Sequence, residues 1–133
     1  MSRRTDQVAA YIERAQETLM LLDLTIKVTE EQAPEDTYAD ISVHDEAPEA
    51  TIRLAHSFWT LSAEDQRRVL VHELLHCHLA ALSNLKDDLE KTLGLAAFEL
   101  FAASFERAEE RTVDKLARII APLLPLPRTF ARS

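Results

Sequence analysis

The chain has only one glycine and one cysteine among its 133 residues, and its longest apolar runs fall well short of the ~20 residues that span a bilayer. Because tight turns with positive φ favour glycine, this scarcity predicts a fold dominated by helices. Cys77 cannot form an internal disulfide, which suits a reducing compartment, and we expect its side chain to be structural. The N-terminus lacks an apolar signal segment, so the sequence predicts a cytoplasmic protein with no membrane contact.

Basic residues are also in the minority, and the formal net charge is −8. Nucleic-acid phosphates would be repelled by this charge, so we expect no nucleic-acid partner, whereas a basic peptide or protein substrate is tolerated. Hydrophobic residues make up 47% of the chain, as in globular proteins, and the length suits a single domain over residues 1–133. No pattern in the sequence predicts an oligomeric state.

The segment His72-Glu73-Leu74-Leu75-His76 has the pattern H-E-x-x-H inside a stretch of apolar residues at helical spacing. Side chains four residues apart on a helix lie one above the other, so His72 and His76 can direct two ring nitrogens at one point. Zinc binds such nitrogens, and Glu73 lies close enough to act as a general base on the attacking water. The alternative, a pair of hydrogen-bonded core histidines, is less favoured by this spacing.

The remaining patterns predict an α+β fold. Helices are expected at 4–22, at 62–82 with Ser62 as N-cap, at 84–91, and at 95–120 after a hinge or end at Gly94. Short strands are expected at 25–28, 39–43 and 50–54, with irregular structure at 30–36. The result is an N-terminal helix, a small three-stranded sheet, the histidine helix and a long C-terminal helix, with an apolar tail at Leu123, Leu124, Leu126 and Phe130 that could dock on the body.

A catalytic zinc needs a third protein ligand, and the long C-terminal helix offers acidic candidates. One face of this helix is apolar, and its neighbour carries small and acidic residues, among them Glu106, Glu110 and Asp114. Glu110 fits best as the ligand, with Asp114 one turn later accepting a hydrogen bond from the far nitrogen of a ligating histidine. Helical phase alone keeps Glu109, and after it Glu106, as alternatives for the third ligand.

A solvated acidic face is the competing interpretation of this cluster, with i,i+3 ion pairs from Arg107 to Glu110 and from Arg111 to Asp114. Against it, Glu106, Glu110 and Asp114 form a row of like charges at i,i+4 spacing, which is destabilising without a compensating cation. Glu109 would lie near the middle of the apolar face, where an unpaired carboxylate is costly.

The pattern H-E-x-x-H at 72–76 followed by E-x-x-x-D at 110–114 resembles the gluzincin metallopeptidases, and the small size resembles the minimal zincins of phages and prophage regions. The resemblance covers residues 51–121. It implies a zincin-like fold with zinc as cofactor, and it implies His72, His76 and Glu110 as the metal ligands. Glu73 would be the general base, and Asp114 would accept a hydrogen bond from a ligating histidine. It also implies that an edge strand pairs with extended substrate, for which 51–55 is the candidate.

The sequence has no clear match to the additional histidine or tyrosine with which this family stabilises the oxyanion. Tyr38, His44 and His56 are the candidates, although each is more simply explained as a surface or packing side chain. We therefore predict a zinc-dependent peptidase. The competing hypothesis is a non-catalytic, zinc-stabilised interaction or regulatory protein, which the acidic surface and apolar tail would suit.

Overall fold

A computed structural model describes residues 2–44, 47–127 and 130, and it confirms the α+β architecture. In chain order the elements are α1 (Arg3–Thr18), β1 (Thr25–Gln32), β2 (Ala39–Val43), β3 (Glu49–Leu54), a 3-10 turn (His56–Thr60), α2 (Ala63–Asp88), α3 (Glu90–Leu93), α4 (Leu95–Ile120) and a second 3-10 turn (Ala121–Leu123). Within these described ranges, every helix is too short or too polar to cross a membrane.

The three strands form one sheet in the order β1-β3-β2. β3 pairs in parallel with β1 and antiparallel with β2, so it lies in the centre of the sheet. The prediction that residues 51–55 form the edge strand is therefore wrong, because both sides of β3 are already hydrogen-bonded to strands. β1 and β2 are the two edge strands: β1 contacts α1, and β2 contacts α2.

Several predicted boundaries change in the structure. β1 extends to Gln32, into a segment predicted to be irregular, because pairing with β3 continues past a register shift. α1 ends at Thr18, since Met20 two residues later adopts a left-handed φ of 57°. The separate helices predicted at 62–82 and 84–91 are one continuous helix, α2, from Ala63 to Asp88.

The ends of the two long helices follow local sequence signals. Ser62 caps α2 by accepting a hydrogen bond from the backbone N–H of Asp65, at 3.2 Å between Oγ and N, as its position predicted. Gly94, with φ of 80°, separates α3 from α4 in a conformation that favours glycine. The helices α2 and α4 are each 26 residues long and are joined by only a few residues. They therefore form a long helical hairpin.

The hydrophobic core lies between α1, the sheet and one half of this hairpin, which is formed by the first part of α2 and the last part of α4. Its fully buried side chains include Ile12, Ile52, Phe58, Leu70, Leu74 and Val113. Part of the predicted tail docks here: Leu124 and Phe130 are buried, whereas Leu123 is exposed. The apolar face predicted for α4 is buried only in part, because the buried residues of this helix are Val113 and Ala117.

Candidate metal centre

The two histidines of α2 meet a carboxylate of α4 where the helices cross. The Nε2 atoms of His72 and His76 lie 3.3 Å apart, and both rings are largely buried. Glu110 reaches both nitrogens: its Oε2 lies 3.2 Å from His72 Nε2, and its Oε1 lies 2.8 Å from His76 Nε2. These three residues form a group that could hold a metal ion.

The spacing of these donor atoms suits a small cation. Bonds of about 2.0–2.1 Å in a tetrahedral zinc site place the ligand atoms roughly 3.3 Å from one another. The separations in this cluster are 3.3, 3.2 and 2.8 Å, at or somewhat below that value. Burial lowers the pKa of His72, against the opposing effect of Glu110, so the ring favours its neutral, metal-binding form. Two imidazoles and one carboxylate are a donor set used by catalytic zinc sites.

Glu109 orients one of the two imidazoles. Its Oε1 lies 3.1 Å from His76 Nδ1, and its Oε2 accepts a hydrogen bond of 2.9 Å from Ser83 on α2. Because a carboxylate can only accept, His76 carries its proton on Nδ1, and Nε2 is left with a lone pair. This lone pair faces the Glu110 carboxylate at 2.8 Å, so a proton or metal cation is needed between the two acceptors.

The structure separates the three acids that helical phase left open. Glu110 lies at both Nε2 atoms, Glu109 lies behind His76, and Glu106 accepts a hydrogen bond of 3.2 Å from Lys86, away from the cluster. The sequence identified Glu109 as a possible ligand but did not predict that it would contact the far nitrogen of His76. Its position on the apolar face, where an unpaired charge would be costly, was the available signal.

Asp114 lies beside the predicted nitrogen without forming the predicted hydrogen bond. Its Oδ1 is 4.0 Å from His72 Nδ1, which is beyond hydrogen-bond range, and its Oδ2 accepts a 3.1 Å bond from Arg118. The ion pairs of the competing interpretation also differ, because Arg107 donates to Ser104 and Asp114 pairs with Arg118. The acids of α4 therefore divide between the histidines and a surface pair.

Glu73 lies next to this cluster and is almost completely buried, with 9% of its surface exposed. Desolvation, and then the nearby carboxylates of Glu110 and Asp40, raise its pKa to about 8. A carboxyl group in such a position can accept and release a proton near neutral pH. Its side chain lines the larger cavity at the site together with His72 and Glu110.

Two cavities flank the cluster along the edge strand β2. A cavity of about 410 Å³ is lined by Ala39 and Asp40 of this strand and by His72, Glu73, Glu110 and Asp114. A second cavity, of about 280 Å³, is lined by Ile41 and Val43 and by His76, Glu109 and Glu110. Glu110 lines both, so the two cavities adjoin at this residue, with His72 lining one and His76 the other. We refer to the two cavities together as the cleft.

The three candidates for stabilising the oxyanion lie in different parts of the structure. Tyr38 lines the larger cavity beside Glu73, whereas His56 lines a separate cavity and His44 lies 3.5 Å from Thr51 on β3. Arg68 also lines the larger cavity, and sequence reasoning missed it. The signal was present, because Arg68 precedes His72 by four residues and shares its face of α2.

Cys77 and His78 lie outside the group of possible metal ligands. Burial raises the pKa of the Cys77 thiol to about 12, so the side chain stays neutral. His78 Nε2 lies 2.7 Å from the carbonyl oxygen of Leu19 and donates to it, joining α2 to the end of α1. Both side chains support the fold around the site.

Comparison with known proteins gives no relative. No protein family, curated protein or solved structure matches the chain.

Proposed function

We propose that this protein is a zinc metallopeptidase of the gluzincin type, with a zincin-like fold. The observation that carries the proposal is the convergence of His72 Nε2, His76 Nε2 and the Glu110 carboxylate, with Glu73 buried beside them in the same cleft. His72, His76 and Glu110 would hold zinc, and Glu109 would fix the ring of His76. Zinc supplies a Lewis acid that polarises a peptide carbonyl and activates water.

In this mechanism Glu73 moves the proton. Its carboxylate takes a proton from the attacking water and delivers it to the amine of the leaving peptide. The near-complete burial of Glu73 supports this role, because a proton taken up there is shielded from exchange with bulk solvent. Tyr38 lines the same cavity, and in this mechanism its hydroxyl would donate a hydrogen bond to the carbonyl oxygen as negative charge develops there.

The substrate would bind as an extended peptide along β2. An edge strand offers backbone hydrogen bonds to such a peptide, and alternate side chains of the peptide then point toward the protein. The two cavities support this assignment, since they lie along β2 on either side of the histidine pair. β2 takes the place of residues 51–55, which pair on both sides within the sheet.

The test is Glu73→Gln in protein of defined zinc content, assayed against a library of unstructured peptides. Gln has nearly the same shape but cannot accept the proton, so we expect hydrolysis to fall at least ~10²–10⁴-fold while bound zinc is unchanged. Glu106→Gln is the matched control, because Glu106 lies on α4 and contacts Lys86 outside the cleft.

Full hydrolysis by Glu73→Gln would contradict the peptidase mechanism. Stoichiometric zinc without hydrolysis of any peptide by the unaltered protein would favour the competing function, a zinc-stabilised interaction or regulatory protein. In that case Glu73→Gln would leave partner binding unchanged.

A further inference from the structure

The side of the α2–α4 hairpin that faces away from the sheet is apolar and exposed. Six large apolar side chains on this side are between 40% and 82% exposed. They are Met20, Leu82, Leu85, Phe101, Ile119 and Leu123. We call this surface the outer face. Large contiguous patches of exposed apolar side chains on a folded domain often mark interaction surfaces.

The outer face extends from the base of the hairpin, where α2 begins and α4 ends, to its tip, where α2 ends and α4 begins. Near the base, Leu75 and His78 of α2 line an apolar groove of about 440 Å³ together with Leu116 and Ile120 of α4. Leu82 and Leu85 follow Leu75 and His78 by seven residues each, which returns them to the same side of the helix. On α4, Ile119 follows the groove residue Leu116 by three residues and so lies beside it on the helix surface. Phe101 lies five full turns before Ile119 and shares its side of the helix.

Met20 supplies a second observation at the edge of this groove. Its backbone has a φ of 57°, a left-handed conformation that costs energy for a residue with a side chain. Glycine would remove that cost, yet the position holds a large apolar side chain that lines the groove and is 82% exposed. A covering partner would bury this side chain and explain its presence.

We propose that the outer face binds the outer face of a second copy of this chain, forming a two-fold dimer in which the hairpins pack as an antiparallel four-helix bundle. The proposal goes beyond the peptidase function and does not depend on it. Packing between antiparallel helix pairs with apolar faces is the arrangement found in four-helix bundles. The cleft lies on the opposite side of the hairpin and stays open.

The charges beside the outer face suit a second copy in this orientation. At the tip of the hairpin three exposed acids, Asp87, Asp88 and Glu90, outnumber the one exposed base, Lys91. The base of α4 carries the exposed basic residues Arg111 and Lys115. A two-fold axis through the middle of the outer face brings the tip of each hairpin over the base of the other. Opposite charges then meet at both ends, which selects the antiparallel arrangement.

The area is also sufficient. The six side chains expose on the order of 700 Å² per chain, close to the ~800 Å² that each partner contributes to a standard-size interface. A contact between two outer faces is self-complementary, as two-fold dimers require.

Sedimentation velocity of the 133-residue chain at about 1–100 μM tests the proposal, since interfaces of this size give dissociation constants in that range or below. We expect a species of twice the 15.1 kDa chain mass. Phe101→Glu and Leu85→Glu should each raise the dissociation constant at least ~10-fold by burying a charge in the interface. Leu100→Glu is the matched control, because Leu100 is more exposed than Phe101 but points to another side of α4.

A charge exchange tests the orientation. Asp88→Lys and Lys115→Glu should each weaken the dimer, and the double variant should restore it, because opposite charges meet again. Circular dichroism and thermal melting verify that each variant is folded. A monomer throughout the concentration range, a dimer insensitive to Phe101→Glu and Leu85→Glu, or equal dissociation by Leu100→Glu would overturn the proposal. Flotation of a monomeric chain with phosphatidylcholine vesicles would assign the face to lipid instead.

Discussion

The two sides of the α2–α4 hairpin differ in what they bury and what they expose. The side toward β2 holds charged and polar groups in a partly closed cleft, with Glu73, Glu109 and the two histidines largely removed from water. The outer face exposes leucine, isoleucine and phenylalanine. Folding alone favours the reverse distribution, because burial of charge is costly and burial of apolar surface is favourable.

We infer from this contrast that each side binds something outside the isolated chain. A cation between the histidines and Glu110 would compensate the charge on the inner side. An apolar partner would compensate the exposure on the outer side. The buried core between them, which includes Leu70, Leu74 and Val113, needs neither and can form from the chain alone.

Removal of the metal from the inner side of the hairpin should cause the largest loss of stability. Binding to the folded state alone adds about 4 kcal/mol to the free energy of unfolding when free zinc is a thousandfold above its dissociation constant. A chelator should therefore lower the melting temperature by roughly 10–15 °C in a domain of this size. Differential scanning calorimetry with and without chelator measures this, and His76→Ala, which removes a ligand, should abolish the difference. Equal melting temperatures with and without chelator would argue against a metal site.

Glu73 should destabilise the metal-free protein as pH rises. Its pKa in the folded protein, about 8, exceeds its ordinary value of 4.5, so the folded state holds the proton more tightly than the unfolded state between these values. The free energy of unfolding then falls by up to ~1.4 kcal/mol per pH unit across this window, or roughly 3 kcal/mol by pH 7. Glu73→Gln lacks this loss and should be more stable than the unaltered chain above pH 7, with little difference near pH 4.5. Urea unfolding of both proteins in chelator measures the difference, and parallel pH profiles would contradict it.

Glu109→Gln should weaken zinc binding about 10–100-fold. The substitution removes the negative charge that fixes the His76 proton on Nδ1, while the size of the side chain is kept. Competition with a chromogenic chelator gives the affinity. Glu106→Gln, three residues earlier on the same helix, provides the control and should have no effect, since Glu106 contacts Lys86. Equal affinities of the two variants would remove Glu109 from the site.

Substitution on the outer face should have the smallest effect on the stability of the single chain. Leu85→Gln, at a position already exposed to water, should change the free energy of unfolding by less than about 0.5 kcal/mol at high dilution. Leu74→Ala, in the core of the same helix, should cost about 2–5 kcal/mol. Chemical denaturation at nanomolar concentration compares them. A large loss in Leu85→Gln would mean that the outer face is covered within the chain itself.

The sequence predicted the elements better than their arrangement. Apolar spacing and the Ser62 cap located α2, and β-branched alternation located the three strands. Strand order depends on pairing between segments distant in sequence, so no local pattern placed β3 in the centre. Periodicity also showed that α4 has an apolar face, but it does not show which residues of that face are covered. Phe101 and Ile119 belong to this face and are exposed.

The same limit applies to the site. The i,i+4 spacing brought His72 and His76 together because both lie on one helix. The choice among Glu106, Glu109 and Glu110 depended on the rotation of α4 against α2, which is fixed by packing at Val113 and Ala117. A rotation by one residue would have exchanged the roles of Glu109 and Glu110.

The account depends most on one divalent ion shared by two helices. Elemental analysis of the purified chain, combined with an anomalous difference map at the zinc absorption edge, examines this directly. We predict one zinc per chain, bonded to His72 Nε2, His76 Nε2 and a Glu110 oxygen at about 2.0–2.2 Å. A fully folded protein without bound metal, or an ion held elsewhere in the chain, would contradict the account.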